Sequence, residues 1–336
     1  MINFSRAKSP LVAISSTLVV ALALVVGPAL HVSARQAARP STVIDSAQLL
    51  LDLKTLSADD MEGRLVGTPG GEKARAYVVE RFKASGLQPV GGSFEHPFTF
   101  RAGRGGGGQD RQGVNVLGQI AGSSPGPYLV VSAHYDHVGT RGGQIYNGAD
   151  DNASGTAALF ALAKYFSTHT PAHPILFAAF DAEEAGLRGA RAFVAAPPVP
   201  AASLALDVNM DMIGRDPDDK LFVVGTHTQP FLKPYIERIA AAAPVKLLMG
   251  HDDPARKDVE DWTSDSDHAA FCSANIPCLY FGVEDFPQHH KPTDDYETMT
   301  YDFYIRAVET LVAAVKEFDA SLEAIAKMRG SAGGAR

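Results

Sequence analysis

Residues 178–189 read AAFDAEEAGLRG, a stretch in which an apolar run ends in two adjacent glutamates. The apolar residues at 176–180 predict a buried strand, so Glu183 and Glu184 follow its carboxyl end. In open α/β sheets, ligands bind at that end of the strands. Adjacent side chains point in different directions, so one carboxylate can bind a metal ion while the other reaches a water molecule. Taken alone, the pair is more typical of an acidic helix N-terminus, and other stretches must decide.

The chain around this stretch alternates strand patterns with helix patterns. Strands are predicted at 114–120, 128–133, 175–180, 204–209, 221–224 and 276–281, and helices at 43–56, 72–85, 154–166, 187–195, 231–242 and 301–327. Such alternation predicts a mostly parallel sheet covered by helices on both faces. The expected fold class is therefore α/β, a three-layer α/β/α arrangement around a mixed, mostly parallel central sheet.

Composition excludes several classes of protein. The chain has 336 residues, of which 46% are hydrophobic and 20% charged, as in globular proteins with a sizeable core. A formal net charge of −8, with no basic and aromatic cluster, argues against nucleic acid or an anionic membrane as the main partner. No repeat or composition shift marks a second domain, so one domain is expected over 43–328, followed by a disordered tail at 329–336. The oligomeric state stays open.

The first 34 residues have the pattern of a secretory signal. Arg6 and Lys8 precede an apolar stretch at 11–30, and the letters VSA at 32–34 offer a small-residue cleavage site. An uncleaved anchor is the alternative, because a membrane span needs about 20 apolar residues. We expect export to the periplasm or the medium, with a flexible start to the mature chain at 35–42.

Cys272 and Cys278 are the only cysteines, too few for a metal–thiolate site or a disulfide framework. In an oxidising compartment they could pair across their five-residue spacer. Two buried free thiols are an equal alternative.

Four other stretches place residues able to bind metal at the ends of predicted elements. They are AHYDHVG at 133–139, NGADDNASG at 147–155, NMDMIGR at 209–215 and QHHKPTDDYE at 288–297. Each has an ordinary structural explanation when taken alone, such as helix capping for Asp150 and Asp151. Together with the glutamate pair they offer the imidazole and carboxylate donors that two divalent ions need. One further carboxylate remains as a general base.

These motifs, with EGRLVGTPG at 62–70 and NVLGQIAG at 115–122, resemble in order those of a known family. The family is the co-catalytic zinc exopeptidases of metallopeptidase clan MH, the group of bacterial leucyl aminopeptidase and glutamate carboxypeptidase. The resemblance extends from about Leu49 to Val315. It implies a dizinc aminopeptidase that hydrolyses N-terminal residues from peptide substrates by means of a metal-bridging water, and the predicted secretory signal implies that this enzyme is exported.

The resemblance also implies two Zn²⁺ ions per chain, held by five side chains. The implied ligands are His134, Asp151, Glu184, Asp211 and His290. His134 and Asp211 would bind one ion, Glu184 and His290 the other, and Asp151 would bridge them. The peptide bond from Asp151 to Asn152 is often cis in such proteins.

Other roles follow from the same resemblance. Glu183 would be the general base and acid, and Asp136 would orient His134. Asp267 and His268, in the stretch SDHAAF, would lie near the substrate pocket as supporting or substrate-contacting residues.

The last motif departs from the family pattern. Lys291 stands where the family usually has threonine, and His289 precedes His290, so the ligand could be shifted by one position. We prefer His290, because Asp294 then falls four residues later, as in the family.

Three other functions remain open at this stage. A glutaminyl-peptide cyclase would use the same fold with one zinc ion. A carboxypeptidase or dipeptidase could use the same metal centre, in which cobalt or manganese could also serve. A non-catalytic binding domain would need a missing ligand or base, and none of the implied residues is missing.

Overall fold

The computed structural model describes Met1, residues 40–101 and residues 108–332, with side chains described up to residue 329. Apart from Met1, the predicted secretory signal lies outside the described residues. The described residues from 40 onwards belong to one compact unit. Within them, no helix is long and apolar enough to cross a membrane.

A nine-stranded sheet forms the centre of this unit, beside a small two-stranded one. The strands in chain order are β1 (Gln88–Pro89), β2 (Glu95–Arg101), β3 (Asp110–Ile120), β4 (Tyr128–His134), β5 (Thr140–Arg141), β6 (Gln144–Ile145), β7 (Ile175–Phe180), β8 (Leu204–Met210), β9 (Lys220–Val224), β10 (Lys246–Met249) and β11 (Cys278–Gly282). The central order is β1-β3-β7-β4-β8-β11-β9-β10, β2 also pairs with β3, and β5 pairs with β6. The three pairs β7–β4, β4–β8 and β8–β11 are parallel. The pairs that β3 forms with β1, β2 and β7 are antiparallel, and so is the pair β11–β9.

Helices cover both faces of the large sheet. They are α1 (Ser46–Leu56), α2 (Pro69–Ala84), α3 (Gly155–Thr168), α4 (Arg188–Ala195), α5 (Lys233–Ala242), α6 (His268–Ser273) and α7 (Tyr301–Ala332). Side chains alternate between the faces of a strand, so β7 contributes to two hydrophobic clusters. Its odd-numbered residues pack with α1, α2, α3, α5 and α7, and its even-numbered residues pack with α4 and α6. The predicted three-layer α/β/α class with a mixed, mostly parallel central sheet is confirmed.

Two predicted boundaries at the end and start of the domain need correction. The last helix continues to Ala332, so the predicted disordered tail is wrong for residues 329–332. The Arg329 guanidinium holds this turn, because it donates hydrogen bonds to the carbonyls of Asn275 (3.0 Å) and Leu204 (2.5 Å). At the other end, the Ser41 hydroxyl donates to the carboxylate of Glu309 (2.6 Å), so the chain is already anchored inside the predicted flexible start.

The parallel centre of the sheet determines where the polar loops meet. Because β7, β4 and β8 are parallel neighbours, their carboxyl ends lie at one edge of the sheet. The loops that follow these strands carry the residues predicted to bind metal. The helical turn at 149–154, which precedes α3, brings the NGADDNASG motif to the same edge.

Candidate metal centre

Three parallel strands deliver acidic and imidazole side chains to one place. His134 is the last residue of β4, Asp211 directly follows β8, and Glu183 and Glu184 follow β7 after two residues. All four residues lie in loops or at strand ends, where side chains do not pack in the hydrophobic layers on the faces of the sheet. The sheet therefore positions them rigidly while leaving their polar atoms available.

The first group of candidate ligands consists of His134, Asp151 and Asp211. The Nε2 atom of His134 lies 3.4 Å from Oδ1 of Asp151 and 3.2 Å from Oδ1 of Asp211. All three side chains are buried. The three ligand atoms lie close enough together to contact one ion.

The second group consists of His137, Asp151, Glu184 and His290. The Nε2 atom of His290 lies 3.0 Å from Oδ2 of Asp151 and 3.1 Å from Oε2 of Glu184. The Nδ1 atom of His137 lies 2.8 Å from Oε1 of Glu184 and 3.6 Å from Oδ2 of Asp151. His137 was not among the predicted ligands, although it stands three residues after His134 in the same motif.

Asp151 belongs to both groups. Its Oδ1 atom faces His134, and its Oδ2 atom faces His290. The peptide bond from Asp151 to Asn152 is cis, which confirms this part of the expected pattern. The side chain of Asp294 accepts the backbone N–H of Asp151 (3.1 Å), so the aspartate at the fourth position after His290 supports the loop of Asp151.

Asp136 supports more than one neighbour. Its backbone carbonyl oxygen lies 3.2 Å from Nδ1 of His134, and its Oδ1 atom lies 3.7 Å from the same nitrogen. The same carboxylate also accepts the backbone N–H groups of Glu183 (3.0 Å) and Glu184 (3.4 Å). Asp136 therefore ties the loop after β4 to the loop that carries both glutamates.

The surroundings of the two glutamates shift their pKa values in opposite directions. Burial raises the pKa of Glu183 well above its usual value, and the nearby carboxylates of Asp267 and Asp211 raise it further, against the lowering effect of His134. For Glu184, burial also raises the pKa, but its histidine neighbours outweigh this and lower it to about 2. Adjacent residues thus differ in their affinity for a proton.

The donor set fits divalent cations. Buried carboxylates of like charge are costly to hold together unless cations neutralise them. Among the described residues, several buried atoms of both groups have no hydrogen-bond partner: Nε2 of His134, Oδ1 of Asp211, and both ring nitrogens of His137. Imidazole nitrogens and carboxylate oxygens are the ligands that zinc takes in proteins. Two of these atoms, Nε2 of His134 and Nδ1 of His137, face the shared carboxylate of Asp151.

A cavity of about 520 Å³ opens over the two groups. Its lining includes Glu183, Glu184 and His290, together with the aromatic rings of Trp262 and Tyr280. Acidic side chains at its rim make the cavity strongly negative, namely Glu260, Asp265 and Asp285. A substrate can therefore reach the candidate metal ligands and the free carboxylate of Glu183 from the same side.

Asp267 and His268 lie behind this cavity and are not part of its lining. Both are fully buried, and the ring of His268 stacks on Tyr280 with 5.0 Å between ring centroids. Their neighbour Ser266 donates a hydrogen bond to Oδ2 of Asp211 (2.7 Å). Of the two expected roles, the structure favours support of the cavity wall over substrate contact.

His289 lies beside the second group without belonging to it. Its Nε2 atom is 3.5 Å from Oδ2 of Asp151, and its Nδ1 atom is 2.7 Å from the carboxylate of Asp285. His290 is closer to Asp151 and also contacts Glu184. The geometry thus brings together the five predicted ligands and adds His137 to them.

Comparison with known proteins identifies similar chains. This chain matches the sequence model described as peptidase family M28 over residues 115–315. Leupeptin-inactivating enzyme 1 of Streptomyces exfoliatus is 27% identical over 240 residues, which cover 70% of this chain and 48% of that protein. Aminopeptidase YwaD of Bacillus subtilis (strain 168) is 28% identical over 196 residues, which cover 56% of this chain and 40% of that protein. The matches span less than half the length of these two curated relatives.

Solved structures share the fold. BSAP, a zinc aminopeptidase from Bacillus subtilis, aligns with a TM-score of 0.67 at 16% identity, over 82% of this chain and 95% of that chain. Porphyromonas gingivalis glutaminyl cyclase aligns with a TM-score of 0.67 at 17% identity, over 82% of this chain and 99% of that chain. At these identities the likeness is evidence for the fold alone.

Proposed function

Because the chain belongs to peptidase family M28, we propose that it is an exported aminopeptidase that uses two zinc ions to remove N-terminal residues from peptides. The family confirms the resemblance to zinc exopeptidases. The observation that carries the proposal is the pair of ligand groups that share Asp151 beneath one open cavity.

In this proposal, His134 and Asp211 would hold one ion, Glu184 and His290 would hold the other, and Asp151 would serve both. Bound zinc supplies Lewis acidity, which polarises a peptide carbonyl and makes water a better nucleophile at neutral pH.

Glu183 is the general base in this proposal. It lies in the cavity wall and belongs to neither ligand group, so its carboxylate is free to accept a proton from the attacking water. The raised pKa of Glu183 also suits the second half of the reaction, in which it returns the proton to the leaving amine. Asp136 keeps this side chain in place through the backbone N–H of Glu183.

The charge of the cavity favours a free amino terminus over a free carboxylate as the recognised end of the peptide. Its acidic lining attracts an α-ammonium group and repels an α-carboxylate. Arg191 is the only lysine or arginine in that lining among the described residues. The acidic side chains of the lining outnumber this single guanidinium, so the aminopeptidase is preferred over a carboxypeptidase.

Export is supported by two independent features of the chain. The first 34 residues have the composition of a secretory signal. Cys272 and Cys278 form a disulfide between α6 and β11, and disulfides persist mainly in oxidising compartments.

A mixed peptide pool tests the proposed reaction. Half of the peptides carry an acetylated N-terminus, and the purified zinc-loaded protein is incubated with both halves before mass spectrometry. We expect loss of single residues from free N-termini only, and no loss when a chelator is present. The residues removed fastest would also reveal the preference of the cavity.

Other outcomes would replace the proposal by a named alternative. Trimming from the C-terminus in both halves would indicate a carboxypeptidase. Loss of ammonia from N-terminal glutamine alone would indicate a cyclase. An unchanged pool with the metal fully bound would indicate a binding domain without catalysis.

A further inference from the structure

We propose that His137 is a fourth protein ligand at the metal position of Glu184 and His290. That position would then have no coordination site left for water or substrate, whereas the position of His134 and Asp211 would keep one. The inference deepens the proposed function and rests on it, because it concerns the same two ions.

The distances within the second group fit one small ion. Four ligand atoms placed tetrahedrally about 2.1 Å from zinc lie roughly 3.4 Å from one another. The Nδ1 atom of His137 lies 2.8 Å from Glu184 and 3.6 Å from Asp151. The Nε2 atom of His290 lies 3.0 Å from Asp151 and 3.1 Å from Glu184. The four given distances are near this spacing, and all four ligand atoms lie within 4.8 Å of one another.

In the described part of the chain, the polar contacts of the His137 imidazole are with other candidate ligands, namely the carboxylates of Glu184 and Asp151. The side chain is fully buried, and neither ring nitrogen has a hydrogen-bond partner among the described residues. A buried donor or acceptor without a partner costs about 1–3 kcal/mol. A metal ion at Nδ1 satisfies the nitrogen that faces the carboxylates, and the short contact to Glu184 becomes a contact between two ligands of one ion.

The surrounding backbone leaves space for this ring. Gly148 has a φ of +56°, and a Cβ atom there would lie 2.5 Å from Cδ2 of His137. The backbone N–H of His137 donates to the carbonyl of Arg64 (3.3 Å), which fixes the start of the side chain. A glycine in the left-handed region and a backbone hydrogen bond thus hold the imidazole against the second group.

The consequence is an asymmetric pair of metal positions. One position would have four protein ligands, as structural zinc sites do, and the other would have three, as catalytic sites do. The four-ligand position should bind its ion more tightly. Water and the substrate should then bind at the position of His134 and Asp211.

Titration of the metal-free protein with Co²⁺ tests the inference without reference to turnover. We expect two binding steps, of which the first shows the intense visible absorption of a four-coordinate ion. In His137→Ala, the first step should weaken by about 100-fold or more, and the absorption should fall. His137→Gln retains more of the side-chain volume and is measured as a second variant, in case His137→Ala folds poorly. It should show the same loss of affinity and absorption.

His169→Ala is the control, since His169 is exposed at the end of α3 and belongs to neither group. It should keep the first step and its absorption. Wild-type affinity and absorption in both His137 variants would overturn the inference while leaving the proposed function intact. A wild-type protein that binds no metal would overturn both. Two bound ions without peptide hydrolysis would overturn the proposed function alone.

Discussion

Glu183 and Glu184 are adjacent in the chain, yet their environments prepare them for different tasks. Glu184 lies beside His137 and His290, which hold its pKa down at about 2 even though burial raises it. Glu183 is removed from solvent, which raises its pKa, and the nearby carboxylates of Asp267 and Asp211 raise it further. Pairs of carboxyl groups whose pKa values are pushed apart are typical of acid–base sites.

Substitution of Glu183 by glutamine should separate catalysis from metal binding. Because Glu183 belongs to neither ligand group, Glu183→Gln should keep both ions while peptide hydrolysis falls by roughly 100- to 10,000-fold, the usual contribution of a general base. Mass spectrometry measures whether both ions are kept, and the rate of peptide hydrolysis measures the loss of catalysis. Glu237→Gln, on the exposed surface of α5, is the control. Near-normal turnover in Glu183→Gln would exclude Glu183 as the base.

His268 should make the stability of the metal-free protein depend on pH. Burial lowers the pKa of His268 to about 4, below its usual value of 6.5. Above about pH 6.5 the side chain is neutral in both the folded and the unfolded state, so it has no effect there. Between pH 6.5 and 4 the unfolded state takes up a proton that the folded state does not. The free energy of unfolding should therefore fall by up to about 1.4 kcal/mol per pH unit from this residue.

Urea unfolding at a series of pH values checks this expectation. His268→Gln replaces the imidazole by a side chain that does not titrate, so its stability should fall less steeply from pH 6.5 to 4 than that of the wild type. Parallel curves for the two proteins would show that His268 takes up a proton equally in both states.

At the scale of elements, Arg64 joins the loops that carry the candidate ligands. Its side chain is fully buried. The guanidinium donates to the carbonyl of Tyr135 (2.9 Å) after β4, to that of Leu56 (2.7 Å) at the end of α1, and to those of Asn147 (2.5 Å) and Gly148 (2.9 Å) before α3. Burial lowers the pKa of Arg64 to about 10, against the raising effect of nearby carboxylates such as Asp151. One buried side chain thus connects the loop after β4, the end of α1 and the segment before α3.

Removal of this guanidinium should destabilise the whole fold. Arg64→Met leaves several buried carbonyls without a donor, so the free energy of unfolding should fall by about 3 kcal/mol or more. Arg238→Met is the control, because Arg238 pairs with Glu317 at the surface (2.6 Å) and such pairs contribute about 0–1 kcal/mol. Equal losses in the two variants, measured by urea unfolding, would refute the role of Arg64 as a buried connection.

At the scale of the whole molecule, the candidate metal centre should couple ion binding to stability. Buried carboxylates from several separate loops meet at one edge of the sheet, and cations that bind only the folded state stabilise it. With free zinc at about 1,000 times its dissociation constant, removal of the metal should lower the melting temperature by about 10 °C.

Calorimetry before and after chelation, and after zinc is added back, measures this effect. Asp151→Ala is the matched control, since it removes the carboxylate common to both groups. Its melting temperature should respond little to zinc. A wild-type melting temperature that is the same with and without chelator would mean that the centre does not stabilise the fold.

The sequence alone determined the fold class and most of the candidate ligands. Strand β7 has the predicted bounds, because a continuous apolar run is a local property that both faces of a buried strand require. The strand ends at His134 and Asp211 were recognisable for the same reason, since a polar residue directly after such a run lies at the sheet's edge.

Only the tertiary structure decided the features that depend on distant parts of the chain. The four-residue strand β10 is defined by its hydrogen bonds to β9. The last turn of α7 is held by hydrogen bonds from Arg329 to carbonyls more than fifty residues away in the chain. The position of His137 depends on the path of the loop after β4, which brings its Nδ1 atom to 2.8 Å from Glu184. Sequence patterns report which residues are available within one segment, whereas the ligand set depends on how separate loops meet at the edge of the sheet.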